Sequence, residues 1–300
     1  MPQTVLITGT SSGFGQAATR RFASEGWNVI ATMRDPDAGK VLAGPGNVFV
    51  TRLDVEDRVS IDAAIMAGIA RFGKIDVVLN NAGYGLFGIF EGVSCDAVRQ
   101  QFDVNVFGAM DVVRAALPHL RANRAGTIIN VSSGAGAIGF PMASIYSASK
   151  FALEGWSEAL SYELGSLGIR VKIIEPGGAP QTNFIARMGR ETTTVEPIGD
   201  YGPFLEQIGK VYGGMAAVAD ADAVEKVIAA IYEAATDGTD RLRYAPTNDI
   251  APLLTARRGT SEDEYRALTR GMFVSDQASG GALLRNSSAA PGPINKASNA

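Results

Sequence analysis

Three residues in the middle of the chain have the types and the spacing that proton transfer needs. Tyr146 and Lys150 stand four positions apart in YSASK, and Ser133 comes before the tyrosine, at the end of the apolar run TIINVSS. Side chains at positions i and i+4 share one face of a helix, so the phenol and the ammonium are expected to project side by side. This grouping is typical of acid–base chemistry.

Such chemistry requires a sheltered site. A free tyrosine titrates near pH ~10, so its use near neutral pH means lowering its pKa at a free-energy cost of about 4 kcal/mol. A neighbouring ammonium supplies about 1 kcal/mol in bulk water but about 4 kcal/mol at a partly desolvated surface. We therefore expect Lys150 to lower the pKa of Tyr146 inside a cleft that the rest of the chain builds.

The composition limits the classes of function. The 300 residues are 46% hydrophobic and 19% charged, which is ordinary for one globular domain. The net charge of −4, with scattered Lys and Arg, excludes a basic surface for nucleic acid or membrane, and no apolar run reaches membrane-spanning length. The single cysteine, Cys95, and the lack of a leader pattern predict a cytoplasmic location. The single histidine, His119, excludes histidine-cluster metal sites, and no metal is expected.

Short apolar runs alternate with helical patterns from TVLIT at the N-terminus to RLRYA near the C-terminus. This alternation predicts an α/β fold with a doubly wound parallel sheet, Rossmann-like, in three layers α/β/α. We expect one domain over residues 1–274, in which residues 182–218 lose regular patterning but stay apolar, as in a substrate lid. Residues 275–300 are rich in Ser, Ala, Asn and Gly and are expected to form a flexible tail.

A long helix is predicted to begin after Ser94 and to run past Asn105 to about Arg121. Its apolar residues spread wider than one core-facing stripe requires. Either this 94–121 helix packs on another subunit, forming a homodimer or homotetramer, or it is buried within its own domain.

The segment TGTSSGFG, Thr8 to Gly15, follows the first strand and opens the first helix. Glycines let the backbone approach phosphates, and the helix N-terminus offers unpaired N–H groups, so this turn predicts a dinucleotide site. The same residues match G-x-S-x-G, which makes Ser11 a candidate hydrolase nucleophile. That alternative is weaker because only His119, at the far end of a long helix, could serve as its histidine base.

The end of the second strand distinguishes two cofactors. Arg34 comes first there and can pair with an adenosine 2′-phosphate, whereas Asp35 and Asp37 are interpreted as turn or cap residues around Pro36. The order favours NADP(H) over NAD(H).

Taken together, TGTSSGFG, NNAG at residues 80–83, Asn105, Ser133 and YSASK resemble the short-chain dehydrogenase/reductase family over about residues 1–178. The resemblance implies that Tyr146 is the general acid/base and that Lys150 lowers its pKa and holds the nicotinamide ribose. It implies that Ser133 orients the substrate oxygen and that Asn105 keeps a water in the proton relay.

The resemblance also implies which residues bind the cofactor. These are Gly9, Ser11, Ser12, Gly13, Phe14, Gly15, Arg34, Asp54, Val55, Asn81, Ala82, Gly83, Tyr146, Lys150, Pro176, Gly177 and Thr182. Asn81 is also expected to stabilise the central sheet, and Asn80 to line the cofactor channel. One residue more than the family pattern separates Pro176-Gly177 from Thr182, which leaves the role of that threonine open.

The leading hypothesis is an NADP(H)-dependent oxidoreductase that moves a hydride between the nicotinamide and a carbonyl or secondary alcohol, with Tyr146 transferring the proton. Apolar residues predict a mainly hydrophobic small-molecule substrate; they are Tyr84, Leu86, Phe87, Ile138, Phe140, Met142 and those of the lid. The alternative is a non-catalytic NADP(H)-binding sensor or scaffold. The intact set of acid–base residues argues against it.

Overall fold

The computed structural model describes residues 2–42, 44, 46–179 and 198–274. Thr182, the first half of the expected lid and the expected tail over 275–300 lie outside these residues. Seven strands form one sheet; they are β1 (Thr4–Thr8), β2 (Asn28–Met33), β3 (Val48–Arg52), β4 (Val77–Asn80), β5 (Gly126–Val131), β6 (Ile169–Ile174) and β7 (Arg243–Tyr244).

All neighbouring strands are parallel, in the order β3-β2-β1-β4-β5-β6-β7. The order reverses between β1 and β4. In open α/β sheets a ligand crevice forms at this reversal, outside the carboxyl ends of the strands. The doubly wound three-layer fold predicted from the alternating pattern is confirmed.

The described helices are α1 (Gly13–Ser24), α2 (Arg58–Phe72), α3 (Cys95–Phe102), α4 (Gly108–Asn123), α5 (Ser144–Gly165), α6 (Gly202–Ala217), α7 (Ala223–Thr236), α8 (Ala251–Gly259) and α9 (Glu262–Phe273). Phe22 of α1 and Ile231 of α7 are fully buried against one face of the sheet. The opposite face is covered by α2, α4 and α5, which contribute Ile61, Val112 and Leu160 to a second core. Burial on both faces explains why β1 reads as a continuous apolar run.

The long helix predicted from Ser94 to Arg121 is interrupted. Ser94 caps α3 as expected, its hydroxyl accepting from the Ala97 N–H at 3.2 Å. A π-helical turn over Asp103–Phe107 then separates α3 from α4. Such turns add one residue to the helix and occur mostly at functional sites.

The wide apolar spread along this helix has a partial explanation within the domain. Val98 and Phe102, before the π turn, pack against Tyr84 and Leu86 in a small cluster. Residues after the turn face the main core, where Val112, Val113, Ala116 and Leu120 are buried. Phe107 is the exception, with 53% of its surface exposed.

The second half of the expected lid is more regular than the sequence suggested. Residues 202–217 form α6, which packs with α8 and α9 in a third hydrophobic cluster through Ile208, Leu253 and Phe273. The capping box expected at Ser261 and Glu264 is present and starts α9. No described helix is long and apolar enough to cross a membrane.

Candidate active site

A cavity of about 710 Å³ lies at the carboxyl ends of the strands, where the strand order reverses. Most of the residues expected from the sequence line it; they are Gly9, Ser11, Ser12, Gly13, Phe14, Arg34, Asp54, Val55, Asn81, Ala82, Gly83, Ser133, Tyr146, Lys150, Pro176 and Gly177. Gly15 and Asn105 lie behind this wall. Thr182 is outside the described residues.

The first glycine turn is built to bring backbone close to a ligand. Gly9 and Gly13 have φ angles of +71° and +57°, which residues with a side chain rarely adopt. A Cβ at Gly9 would lie 2.9 Å from the Ala82 Cα, and one at Gly15 would lie 2.3 Å from the Gly9 oxygen. Ser12, in extended conformation, precedes the first turn of α1, and Ser12, Gly13 and Phe14 line the cavity, which places the start of the helix where a pyrophosphate site needs it. The turn therefore fits a dinucleotide.

Asn80 and Asn81 divide their roles differently from the expectation. The Asn81 amide donates to the Thr8 and Gly9 oxygens at 2.9 and 3.1 Å, tying the end of β4 to the glycine turn, and Asn81 lines the cavity. The expectation that Asn80 lines the cofactor channel is wrong. Its side chain is buried inside the sheet and donates to Asn130 at 2.9 Å, because successive strand residues point to opposite faces.

The acid–base group converges in the cavity. Tyr146 and Lys150 leave the first turns of α5 on one face, and the Ser133 hydroxyl lies close enough to the Tyr146 phenol to favour its charged form. The Lys150 Nζ donates to the Val131 carbonyl at 2.8 Å and lies 5.8 Å from the centre of the Tyr146 ring. Both side chains are buried, with 7% and 6% of their surfaces exposed.

Burial has opposite effects on the pKa values of these two groups. It raises the pKa of Tyr146 to about 12, against the opposing hydrogen bond from Ser133, and it lowers the pKa of Lys150 to about 8, against the opposing charge of Glu154. The direction for Tyr146 is opposite to the one expected from the sequence. Burial strengthens the attraction between the Tyr146 phenolate and the Lys150 ammonium, but it also disfavours the phenolate itself. Without a bound cofactor, the cost of burying the phenolate is the larger of the two effects.

Asn105 lies in the π turn and is buried. Its amide donates to the Tyr84 carbonyl at 2.9 Å and to the Ser149 hydroxyl at 3.2 Å, and its oxygen accepts from the Tyr84 N–H at 3.1 Å. Gln101, which sequence reasoning missed, bonds the same loop through the Tyr84 carbonyl and the Leu86 N–H, both at 2.8 Å. The described contacts thus use Asn105 to fix the loop beside Lys150.

Aromatic rings form another part of the cavity wall. Phe87 lies 6.0 Å from Tyr146 and 6.4 Å from Tyr212, measured between ring centres. Tyr212 comes from α6, and its hydroxyl donates to the Pro141 carbonyl at 2.7 Å. Of the pocket residues expected from the sequence, Tyr84, Phe87 and Phe140 line the cavity, whereas Leu86, Ile138 and Met142 do not.

Two further segments bear on the cofactor. Arg34 is exposed at the end of β2 and lines the cavity, while the Asp35 carboxylate accepts from the Asp37 N–H at 3.0 Å within a turn. Sequence reasoning also missed a clamp on Pro176-Gly177. Thr247 accepts from the Gly177 N–H at 2.8 Å, and the Asp249 carboxylate packs so closely that a Cβ at Gly177 would lie 2.2 Å from it.

The structure also bears on the hydrolase interpretation of Ser11. His119 accepts from the Ile75 N–H at 3.1 Å, just before β4 begins, whereas Ser11 follows the end of the parallel strand β1. The two lie at opposite ends of the sheet, so the hydrolase interpretation has no histidine base. Within the described part of the chain, no group of His, Cys, Asp and Glu side chains could hold a metal ion.

Comparison with known proteins agrees with this geometry. A family model described as short chain dehydrogenase matches residues 3–192. The 17-beta-hydroxysteroid dehydrogenase type 1 of Mus musculus is 34% identical over 276 residues, covering 85% of this chain and 77% of that protein.

Two solved structures share the fold. A short-chain dehydrogenase from Streptomyces avermitilis has a TM-score of 0.72 at 31% identity, covering 92% of this chain and 98% of that one. The 3-ketoacyl-(acyl-carrier-protein) reductase from Brucella melitensis, solved with NADH, has a TM-score of 0.59 at 31% identity, covering 61% and 78%. The chain belongs to the short-chain dehydrogenase/reductase family and is an oxidoreductase acting on CH–OH or C=O groups with a nicotinamide dinucleotide.

Proposed function

We propose that the protein is an NADP(H)-dependent oxidoreductase that moves a hydride between the nicotinamide and a carbonyl or secondary alcohol of a mainly hydrophobic small molecule. The observation that carries the proposal is the grouping of Ser133 and Tyr146 in the cavity wall, with Lys150 one helical turn further along. The cofactor supplies the hydride chemistry when bound, and the chain supplies orientation and the proton.

In this proposal Tyr146 is the proton donor for carbonyl reduction. Its raised pKa keeps the phenol protonated at neutral pH, so a proton is available for the substrate oxygen. The Ser133 hydroxyl orients that oxygen and stabilises the phenolate left behind. Lys150, fixed by the Val131 carbonyl, carries the positive charge that opposes the developing negative charge. The reverse path, alcohol oxidation, uses the same groups with Tyr146 as base.

The cofactor sites are assigned from the cavity wall. Gly9, Ser11, Ser12, Gly13 and Phe14 would hold the pyrophosphate; Asp54 and Val55 the adenine; Asn81, Ala82 and Gly83 the middle of the dinucleotide; Lys150 the ribose; and Pro176 and Gly177 the nicotinamide. The family resemblance adds Gly15 behind the pyrophosphate site, and it adds Thr182, outside the described residues, at the nicotinamide. Arg34, exposed and beside the cavity, supports NADP(H), since a guanidinium pairs with a 2′-phosphate in two hydrogen bonds. Asp35, held in its turn, is not among the cavity-lining residues.

The substrate proposal rests on the aromatic wall of Phe87, Phe140 and Tyr212. Aromatic ketones, steroid-like and retinoid-like molecules suit such a wall, and the mouse relative is named for a hydroxysteroid. Residues 182–218 would serve as the lid, since Tyr212 and Met215 of α6 already reach the cavity.

The experiment that tests the function compares two tyrosines of the same cavity. Turnover on a panel of carbonyls and alcohols is followed at the nicotinamide absorbance, with both cofactors. Tyr146→Phe is expected to lower kcat by roughly 10²–10⁴-fold while leaving NADPH affinity nearly unchanged. The control Tyr212→Phe removes a hydroxyl bonded to Pro141 and is expected to keep kcat within tenfold. A Tyr146→Phe protein with most of its turnover contradicts the mechanism.

The same panel separates the two candidate functions. Tight NADPH binding with no turnover on any compound would favour the sensor or scaffold. For cofactor choice, Arg34→Ala is expected to cost about tenfold in NADPH affinity with little change for NADH. Lys40→Ala, an exposed cation of the next turn paired with Asp37, is the control and is expected to change neither.

We also propose a homodimer or homotetramer formed through the 94–121 helix, in a reducing, cytoplasmic location. Phe107 and Phe151 support the assembly, since these large apolar side chains are 53% and 44% exposed on the π turn and on α5. Sedimentation of wild-type protein and Phe107→Glu tests it, and a monomeric wild type would contradict it. Cys95 is exposed and free, which agrees with a reducing location.

A further inference from the structure

The catalytic face of α5 continues for one more turn. Tyr146, Lys150 and Glu154 follow each other at four-residue spacing, and all three are buried in the same helix. Side chains four apart on a helix are neighbours, about 5–6 Å between Cβ atoms. The acid–base pair therefore has a carboxylate directly behind it that the proposed mechanism does not use.

Glu154 is fixed from two sides. Its Oε2 accepts from the Arg243 Nε at 2.9 Å, and the other side of that guanidinium donates to Glu158 at 2.5 Å. Gly136, in the loop after Ser133, lies directly over it, since a Cβ there would be 2.8 Å from the Glu154 Cγ and 2.6 Å from the Ser132 hydroxyl. Only 6% of the Glu154 surface is exposed. This carboxylate is packed beneath the strand end that carries the catalytic serine.

Glu154 is the acidic group whose charge acts on Lys150. The groups that meet Lys150 from β5 and the 83–86 loop are neutral; they are the Val131 carbonyl and the Gly83 backbone, and the neutral Asn105 amide of the π turn lies on the same side of Gly83. Tyr146 is protonated at neutral pH. Burial lowers the pKa of Lys150, and the charge of Glu154 opposes that effect.

Glu154 has charged neighbours of its own. Glu175, fully buried at the end of β6, is paired with Arg258 of α8, and burial and the charge of Glu175 together raise the pKa of Glu154. Arg243 of β7 and the Ser132 hydroxyl act in the opposite direction. Glu158 lies on the far, more exposed side of Arg243. Burial and Glu175 thus favour the neutral form of Glu154, whereas Arg243 and Ser132 favour its carboxylate.

We infer that Glu154 is a positioning residue for proton transfer, whose carboxylate, held by Arg243, keeps Lys150 as an ammonium beside Tyr146. The inference rests on the proposed function of Tyr146 and Lys150. Glu154 touches neither substrate nor cofactor and acts through the charge of Lys150 alone.

The competing explanation is a simple ion pair that joins α5 to β7. Arg243 bonds Glu158 as well as Glu154, so the chain offers a matched control. Glu154→Gln and Glu158→Gln each remove one carboxylate from the same guanidinium while keeping the side-chain shape. Only the first removes a charge one turn from Lys150.

Two measurements distinguish the explanations. The first is the NMR titration of the Lys150 Nζ in isotope-labelled protein without ligand, assigned by its loss in Lys150→Met. The second is the pH profile of kcat/KM for carbonyl reduction with NADPH. Because turnover requires the ammonium, kcat/KM falls as pH rises through the Lys150 pKa. Glu154→Gln is expected to move this limb to lower pH, with about tenfold lower kcat/KM at pH 8, and Glu158→Gln is expected to match wild type.

The outcomes are separable. Equal Lys150 titrations in wild type and Glu154→Gln overturn the inference, as does an equal displacement in both Gln variants. A wild type that turns over no compound overturns the proposed function instead, and the NMR titration still decides about Glu154. If Glu154→Gln does not fold, the double variant Glu154→Gln, Arg243→Met leaves neither partner unpaired and gives the same readouts. In that case wild type remains its reference, because Arg243→Met alone also removes the guanidinium that favours the charged form of Glu154.

Discussion

Replacing Lys150 by methionine is expected to stabilise the protein while abolishing its activity. Burial lowers the pKa of Lys150 from 10.5 to about 8. At about 1.4 kcal/mol per pKa unit, holding the ammonium in the folded cavity costs about 3 kcal/mol. A methionine side chain would carry no such cost, but it would leave the Val131 carbonyl without its donor, a loss of about 1 kcal/mol. The expected net gain for Lys150→Met at pH 7 is about 2 kcal/mol.

The pH dependence identifies the source of that gain. Between pH 8 and 10.5 the unfolded chain keeps this lysine protonated while the folded protein does not, so the unfolded state binds more protons. Wild-type stability from this group therefore rises with pH over that window. The cost is fully present below about pH 8 and is lost toward pH 10.5, so the advantage of Lys150→Met should vanish by about pH 10. Tyr146 titrates in both proteins, and its contribution cancels in the comparison.

Urea unfolding at pH 7 and pH 10 measures both effects. The control is Lys210→Met on α6, which removes a lysine whose side chain is 75% exposed and paired with Glu206. It is expected to change stability by less than about 1 kcal/mol at pH 7. A Lys150→Met protein less stable than wild type at pH 7, or a gain that is the same at both pH values, would refute the reasoning.

Two further predictions concern contacts between distant parts of the chain. Gly177→Ala is expected to weaken NADPH binding by roughly tenfold, because its Cβ would lie 2.2 Å from the Asp249 carboxylate. Combining it with Asp249→Ala should restore part of the lost affinity, measured by fluorescence titration. Losses of affinity that simply add in the double variant would contradict the clash. Asp237→Ala is expected to lower the free energy of unfolding in urea by about 3–5 kcal/mol, because it removes the carboxylate that lies 3.2 Å from the ammonium of fully buried Lys172. Asp240→Ala is the control, because Asp240 is fully exposed. Equal losses in the two variants would contradict the importance of the buried pair.

Patterns within a few residues of the sequence were enough to predict the strands, most helices and most of the candidate active site. Alternating apolar runs, the cap at Ser94 and the capping box at Ser261 depend on neighbours within a few residues, and each is present where expected. The glycine turn and the Tyr146 and Lys150 pair are equally local.

What the sequence missed depends on packing between distant residues. Glu154 meets Arg243 across 89 residues, and nothing near either one marks the pairing. The pKa of Tyr146 was expected in the wrong direction because the extent of its burial follows from the whole cavity. The wrong expectation for Asn80 has the same origin, since its side chain is buried against Asn130 of the neighbouring strand β5.

The π turn at Asp103–Phe107 lets α3 and α4 make separate sets of contacts. One extra residue offsets the helical phase, so the segment before the turn holds the 84–86 loop through Gln101 while the segment after it belongs to the sheet's core. Substitutions in α3, before the π turn, can therefore change how firmly the 84–86 loop is held without changing the packing of the core. The offset therefore assigns the hold on the substrate-side loop and the packing of the core to different residues of the segment.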